Sequence, residues 1–383
     1  MDPGLNPYRP GAGLQPPELT GRDAQIKEFD FLVIRAKHRT VDRPMVMSGL
    51  RGVGKTALLN KLAGMAEQAH WITVVTEGQT TNQGVANVRR RLGAEINAAL
   101  LRSSMGSRMK AGMRKLGALV SAFSLTLGPT ELSFAPKPAA TGLLDVDVET
   151  LVLEIASSAR EDERAFAIFI DEMQDIEPEL LSAFIVAQHR AQQKELPFYV
   201  IGTGLPNLPT KLSSARSYAE RLFSYSVIGP LDRQASLEAL VLPAERFGAT
   251  YTLEAAEFLV EASNGYPYFL QEYGKAIWDL ASDRTFTLAD AKNAIVVGQA
   301  QLDAGFFPAR WDRASEKERA YMVAMTKNKR TASVAASLAK TMAELSSVRQ
   351  SLINKGLIYV PQRGEVAFTV PGMADFIDRA TAQ

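Results

Sequence analysis

Four short apolar runs punctuate the first 230 positions: Pro44-Met45-Val46-Met47-Ser48, Trp71-Ile72-Thr73-Val74-Val75-Thr76, Ala165-Phe166-Ala167-Ile168-Phe169-Ile170 and Pro197-Phe198-Tyr199-Val200-Ile201. A strand that is apolar throughout fits a parallel sheet covered on both faces. Helical spacing fills the intervals, at Ala24–Lys37, from Ala57 onward, at Asn82–Leu101, Val146–Ala159 and Pro178–Lys194. Strands alternating with helices predict an α/β fold with a mostly parallel sheet. From Asp232 to Phe306 the pattern is helical only: Asp232–Leu242, Leu253–Ser263, Tyr268–Ala281 and Leu288–Phe306, the last opened by the capping box Thr287-Leu288-Ala289-Asp290. A second capping box, Ser315-Glu316-Lys317-Glu318, opens three shorter helices over Glu316–Thr326, Val334–Leu338 and Ala343–Lys355. Two strands follow, Leu357–Val360 and Val366–Val370, around a turn at Arg363-Gly364. Three helices and a two-stranded wing predict a winged helix-turn-helix.

The expected organisation is an arm over residues 1–20, an α/β core over 21–231, a helical lid over 232–310 and the winged helix over 311–383. Pro and Gly dominate the arm, so it reads as extended. Residues 103–141 read as an insertion in the core. Within it Arg108, Lys110, Arg114 and Lys115 suggest a basic amphipathic helix, and period-two alternation on both sides of Gly128-Pro129-Thr130 suggests a hairpin. It could meet DNA, a neighbouring subunit or nothing.

Composition narrows the function classes. The chain has 383 residues and no cysteine, which excludes disulfide and thiolate metal chemistry and points to a reducing compartment. Three scattered histidines make a histidine metal site a poor expectation. The most apolar stretch, Leu116–Leu127, is too short to cross a bilayer, and Met1–Gly4 lacks the character of a signal peptide; a cytoplasmic protein without membrane contact is expected. A net charge of +1 conceals an imbalance: Arg313–Gln383 carries 11 Lys and Arg against 6 Asp and Glu, and the remainder is acidic. A basic C-terminal piece invites an anionic partner.

The chemistry centres on Gly49-Leu50-Arg51-Gly52-Val53-Gly54-Lys55-Thr56, which fits G-x-x-x-x-G-K-[ST] between a strand and a helix. Glycines allow the tight turn and the close approach of an anion, and the backbone N–H groups through Val53 and Ala57, at a helix N-terminus, face phosphates. Lys55 supplies charge to the β- and γ-phosphates and Thr56 a hydroxyl to Mg²⁺. Ala165–Ile170 ends in Asp171-Glu172, where ligands gather in open α/β sheets. Asp171 would hold Mg²⁺ through its water shell, and Glu172 would orient the attacking water.

These motifs, with Gly21-Arg22-Asp23 some 25 residues ahead of the loop, resemble the AAA+ and STAND-type P-loop ATPases, in particular the origin-initiator-like (ORC/Cdc6-like) ATPases of prokaryotes. The resemblance implies ATP and Mg²⁺ as cofactors, with Gly21, Arg22 and Pro267 near the nucleotide. Thr203, at the end of the strand beside Asp171, matches the γ-phosphate sensor by type and position. Gln174 falls where related ATPases often carry a polar residue. Arg221, with Arg216 as runner-up, matches an arginine that reaches a neighbouring subunit's nucleotide, which implies a homo-oligomer when ATP is bound. Asn264-Gly265-Tyr266-Pro267-Tyr268 occupies the second sensor's position, but Tyr268 stands where that motif has arginine. In the winged helix, Ser346, Ser347, Arg349, Gln350 and Lys355 are candidates for reaching double-stranded DNA, with Lys327, Lys329, Arg330 and Arg363 for phosphates. The alternative is a nucleotide-gated signalling switch or scaffold with little turnover, whose winged helix binds protein.

Overall fold

The computed structural model describes residues 1–11, 13–79, 82–102, 141 and 143–382, so the expected basic helix and hairpin of the insertion lie outside the described residues. The chain forms two compact units. One comprises Arg22–Gly49 and Lys55–Ile228; the other comprises Met1–Gly21, Leu50–Gly54 and Gly229–Gln383.

The first unit is built on a five-stranded sheet, β1 (Met45–Ser48), β2 (Ile72–Glu77), β3 (Phe166–Asp171), β4 (Phe198–Gly204) and β5 (Ser224–Val227), in the order β2-β3-β4-β1-β5. All four pairings are parallel. Side-chain alternation along these strands decides what faces where. Phe166, Ile168 and Ile170 enter a core shared with Ile155 of the helix Leu144–Glu161 and Phe184 of the helix Pro178–Gln193. Phe169 points the other way and meets Phe29 of the helix Asp23–Lys37 at 6.0 Å between ring centres. Trp71 stacks on Tyr199 at 5.2 Å on that second face. Asp171 shares the parity of Phe169, and Thr203 that of Tyr199. The same alternation that buries the aromatic rings therefore brings a carboxylate and a hydroxyl off the sheet on one face, at its C-terminal edge.

The second unit is mostly helical, with Arg233–Glu245, Leu253–Ser263, Pro267–Leu280 and Leu288–Gln301, and a parallel pair β6 (Thr250–Tyr251) and β7 (Thr285–Phe286). Asp232 and Thr252 cap the first two helices through the N–H groups of Ala235 and Ala255. The first helix runs through Pro243 to Glu245, where a stop at Leu242 was expected; the proline removes one i→i−4 bond in the last turn without ending the helix. Both expected capping boxes form, Thr287 with Asp290 and Ser315 with Glu318. The helix expected to reach Phe306 passes into a π-helical turn at Leu302–Phe306.

The N-terminal arm is extended apart from one 3-10 turn at Pro3–Leu5. Its anchor is Tyr8, 3% exposed, whose hydroxyl donates to the Leu240 carbonyl and pairs with the Tyr251 hydroxyl at 2.7 Å. The Tyr8 ring lies where a side chain on Gly274 would stand, within 2.5 Å of its Cβ position. Further along the arm, the Thr20 hydroxyl donates to the Ala235 carbonyl at 2.7 Å.

The C-terminal part has three helices, Glu316–Lys327, Thr331–Ser337 and Ser346–Asn354, followed by an antiparallel ribbon of β8 (Ile358–Tyr359) and β9 (Ala367–Phe368). The element order is that expected, with shorter strands. A final helix, Met373–Thr381, was not foreseen; Met373, Phe376 and Ile377 form its buried stripe. Phe376 stacks on Phe307 at 5.2 Å, and Arg379 grips the Asp303 carboxylate through two N–H groups at 2.7 and 2.9 Å.

Candidate functional site

The P-loop leaves β1 at Ser48. Gly49 donates its N–H to the Gly204 carbonyl at 3.0 Å, extending the ladder to β4. Only Gly52 and Gly54 stand at positive φ, +82° and +88°, a backbone region other residues enter at a cost of about 1–2 kcal/mol. Gly49 is not among the glycines at positive φ. The turn delivers Lys55 and Thr56 as the first residues of the helix Lys55–Gln68. Lys55 is 6% exposed, and an ammonium so placed is suited to meet an anion.

In the sheet unit the Asp171 carboxylate joins the motifs. The Thr56 hydroxyl donates to Asp171 Oδ2 at 2.6 Å, and the Thr203 hydroxyl donates to Oδ1. Residues 56, 171 and 203, far apart in sequence, thus meet on one carboxylate. Glu172 takes a left-handed conformation, φ 45° and ψ 46°, which turns the chain sharply off β3. Non-glycine residues hold such a conformation at a cost, and it recurs at active sites. Glu77, opposite Asp171 in the β2–β3 register, has its carboxyl pushed above the ordinary range by burial and by the negative charges of Asp171 and Glu172. The end of the sheet is thus a region of negative potential, which favours a cation there.

The donor set fits Mg²⁺. It offers a hydroxyl and a carboxylate, all oxygen, and among the described residues no group of three or more His, Cys, Asp or Glu side chains forms a dedicated cage. Mg²⁺ is ordinarily held by one or two carboxylates, with waters and substrate phosphates completing its octahedron.

The other unit holds Leu50–Gly54 and the turn after the helix Leu253–Ser263. Pro267 is the first residue of its helix, and its Cγ lies 4.0 Å from where a Gly54 Cβ would stand. Tyr268 donates its N–H to the Gly52 carbonyl at 3.4 Å, and its ring stacks on Phe306 at 4.7 Å. At the position where the resemblance implies an arginine side chain, this chain has an aromatic stack seated against the loop. Arg310 lies over the Phe306 ring, 3.8 Å from its centroid; burial first, and Arg51 second, push its guanidinium down to about 10. Arg51 donates its N–H to the Thr369 carbonyl at 3.2 Å, a contact between the P-loop and the end of the C-terminal ribbon. Neither Thr369 nor Arg310 carried a sequence signal, because both act through tertiary position.

Gly21 has φ +65° and no room for a side chain, since Ala235 Cβ lies 2.8 Å from its Cβ position. Arg22, 6% exposed, precedes the helix Asp23–Lys37. Arg221 is exposed at the end of a short helix, whereas Arg216 Nε donates to Ser182 Oγ at 2.9 Å. In the C-terminal part Lys327, Lys329, Arg330 and Arg363 are exposed and Arg349 half-buried. Lys355 already has partners within the chain: its ammonium binds Glu318 Oε2 at 2.6 Å and the Arg313 carbonyl at 2.9 Å.

Comparison with known proteins agrees with this geometry. Residues 18–201 match the AAA ATPase domain family, and residues 304–377 match a domain of unknown function, DUF8462. The chain thus carries an AAA ATPase domain. No curated protein matches it. Among solved structures it is similar to a Walker-type ATPase of Pyrococcus abyssi, with 16% identity, 98% of this chain and 99% of that one covered, and a TM-score of 0.61, a likeness of fold. Looser likenesses, each covering at least 96% of this chain and 95% of the other, are to the RuvB Holliday junction branch migration motor of Thermotoga maritima (15% identity, TM-score 0.48) and to the ORC1 protein of Aeropyrum pernix in complex with DNA (14% identity, TM-score 0.47, 97% of this chain). Among the described residues no helix is long and apolar enough to cross a membrane.

Proposed function

We propose that this chain is an Mg²⁺-dependent ATPase whose nucleotide state controls its assembly and its hold on double-stranded DNA. The observation that carries the reading is the Asp171 carboxylate shared by the hydroxyls of Thr56 and Thr203. That arrangement joins the P-loop helix, β3 and β4 at one point. Gly49, Gly52, Val53, Gly54, Lys55, Thr56 and Ala57 would cradle the triphosphate, with Gly21 and Arg22 toward the base and Pro267 in the turn that closes over the nucleotide. Thr56 and Asp171 would hold Mg²⁺, which when bound neutralises charge on the β- and γ-phosphate oxygens.

Each residue then has a distinct task. Lys55 places positive charge on the bridging region, where negative charge grows as the bond breaks. Glu172 orients a water molecule and accepts its hydrogen bond. The water oxygen attacks the γ-phosphorus, the bond to the β–γ bridging oxygen breaks with its electron pair staying on ADP, and the water's proton is released to the base or to phosphate. Thr203 ties the state of the γ-phosphate to Asp171. Arg221, exposed, would complete a neighbour's site in an ATP-bound homo-oligomer. The P-loop contact from Arg51 to Thr369 supports coupling between nucleotide state and the C-terminal part. There Lys327, Lys329, Arg330, Arg349 and Arg363 would meet DNA as a winged helix does.

The test is Lys55→Ala: it is expected to abolish ATP binding and phosphate release, and a variant that binds and hydrolyses like the parent would remove the reading. Light scattering with ATP, ADP and no nucleotide should show growth in particle size with ATP alone, lost in Arg221→Ala.

One observation favours a second reading of the C-terminal part. A groove of about 370 Å³ there is lined by Glu316, Leu338, Glu344, Leu345 and Val348 among others. Lys317 and Lys340 balance the two carboxylates, so the groove has no net charge over its apolar floor, which suits a protein segment better than a phosphate backbone. If the full chain shows no salt-sensitive affinity for any duplex, the nucleotide-gated switch that docks protein is the better description.

A further inference from the structure

Gln174 is a buried polar side chain beside the carboxylates. It sits on the 3-10 turn Met173–Asp175, just past the left-handed Glu172, and is 4% exposed. That turn folds its carboxamide back toward the strand end it has just left. Nε2 donates to Glu172 Oε2 at 2.6 Å and to Asp175 Oδ2 at 3.2 Å. Oε1 accepts the Leu205 backbone N–H at 3.0 Å, and the Gln174 carbonyl accepts from Lys211 Nζ at 2.8 Å. The orientation of the amide is fixed by its neighbours, since a backbone N–H must meet the oxygen and carboxylates must meet the nitrogen. Room for it comes from Gly204, where a Cβ would stand 2.3 Å from Gln174 Oε1.

The bonds close a circuit. Asp171 is held by Thr203; two residues later Leu205 is held by Gln174; and Gln174 holds Glu172, the neighbour of Asp171. Both carboxylates at the end of β3 are thereby referred to the same end of β4. A glutamine meets all three demands at once. Leucine lacks the bonds, glutamate repels two carboxylates, and asparagine is one methylene short.

We propose that Gln174 is a positioning residue for the hydrolysis step, holding the Glu172 carboxylate in place for the attacking water and tying it to the strand end that carries Thr203. The proposal rests on the ATPase reading above. Misplacing a catalytic group by about 1 Å can cost on the order of 10²-fold in rate, so Gln174 should act on kcat without acting on nucleotide affinity.

The experiment is a double-mutant cycle on the full chain, with ATP binding measured apart from turnover. Gln174→Leu removes every side-chain bond. Gln174→Glu keeps an acceptor for the Leu205 N–H and so guards against loss of fold, which thermal melting checks. The expected result is that both variants lose about 10–100-fold of kcat with KM and the ATP dissociation constant unchanged, and that neither loses more when Glu172→Gln is already present. An unchanged kcat, or the same further loss in the Glu172→Gln background, overturns the proposal and leaves the ATPase reading intact. A parent that binds ATP without turning it over overturns both.

Discussion

Charge is held in opposite ways in two regions of this molecule. At the C-terminal edge of the sheet it is half-buried and bonded: Asp171 accepts two hydroxyls, and Glu172 accepts an amide. In the C-terminal part Lys327, Lys329, Arg330 and Arg363 are exposed. The first kind of site depends on angstrom-scale geometry, because preorganised groups act strongly where water is excluded. The second depends on summed charge, because exposed cations act on a phosphate backbone through counterion release. Single substitutions should therefore be decisive in the first region and graded in the second.

Among variants that keep ATP binding, the largest effect expected is from Glu172→Gln, which should bind ATP like the parent but turn it over about 10²–10⁴-fold more slowly, read by phosphate release under saturating ATP. Equal loss of binding and turnover would mean that Glu172 shapes the site and does not act on water. Thr203→Val comes next. It removes one of the hydroxyls on a half-buried carboxylate and should lower kcat by about 10-fold while costing on the order of 1 kcal/mol of stability, measured by denaturant melting. For the basic region, replacing Lys327, Lys329, Arg330 and Arg363 one at a time with alanine should each weaken duplex binding modestly and reduce the slope of log affinity against log salt by about 1. One substitution that abolished binding outright would make the region a geometric site like the first.

The smallest effect isolates an exception within the basic region. Glu318 is buried, which by itself raises its carboxyl, yet bonds from Lys355, Ser351 and Ser315 outweigh burial and hold it down to about 2. Its folded pKa lies below the unfolded value, so the stability it contributes is complete above about pH 4.5. That stability is lost as the pH falls toward 2. Glu318→Gln should remove this acid dependence and lower stability by about 1–2 kcal/mol at neutral pH, followed by melting between pH 2 and pH 7. An unchanged acid limb would show that the exposed carboxylates dominate there.

The contrast also explains what could be read in advance. Lys55, Thr56, Asp171 and Glu172 are legible because each follows an element signalled by its own hydrophobic pattern, and a motif fixes the offset. Thr203 is legible because it ends an apolar run. Tyr268 is legible as a departure, but not what replaces arginine there: the stack of Tyr268 on Phe306 joins residues nearly forty positions apart. Lys355 shows the reverse case. As a basic residue after a helix it reads as a contact, and only folding reveals the Glu318 carboxylate beside it. The helix Met373–Thr381 went unread because its apolar stripe is only three residues long, too short for periodicity to separate from a loop.

By itself, the sequence determined the P-loop, the acidic end of β3, the parallel α/β order, the helical stretch after it and the basic balance of the C-terminal part. All of these are local properties, set by side-chain periodicity, glycine placement and composition. Tertiary structure alone decided that the Thr56 and Thr203 hydroxyls share one carboxylate, that Gln174 closes a circuit back to Glu172, that Tyr8 pins the arm, and that the P-loop N–H of Arg51 meets the Thr369 carbonyl. Each of those is a hydrogen bond between groups distant in the chain, whose partner choice depends on which surfaces the core brings within about 3 Å of one another.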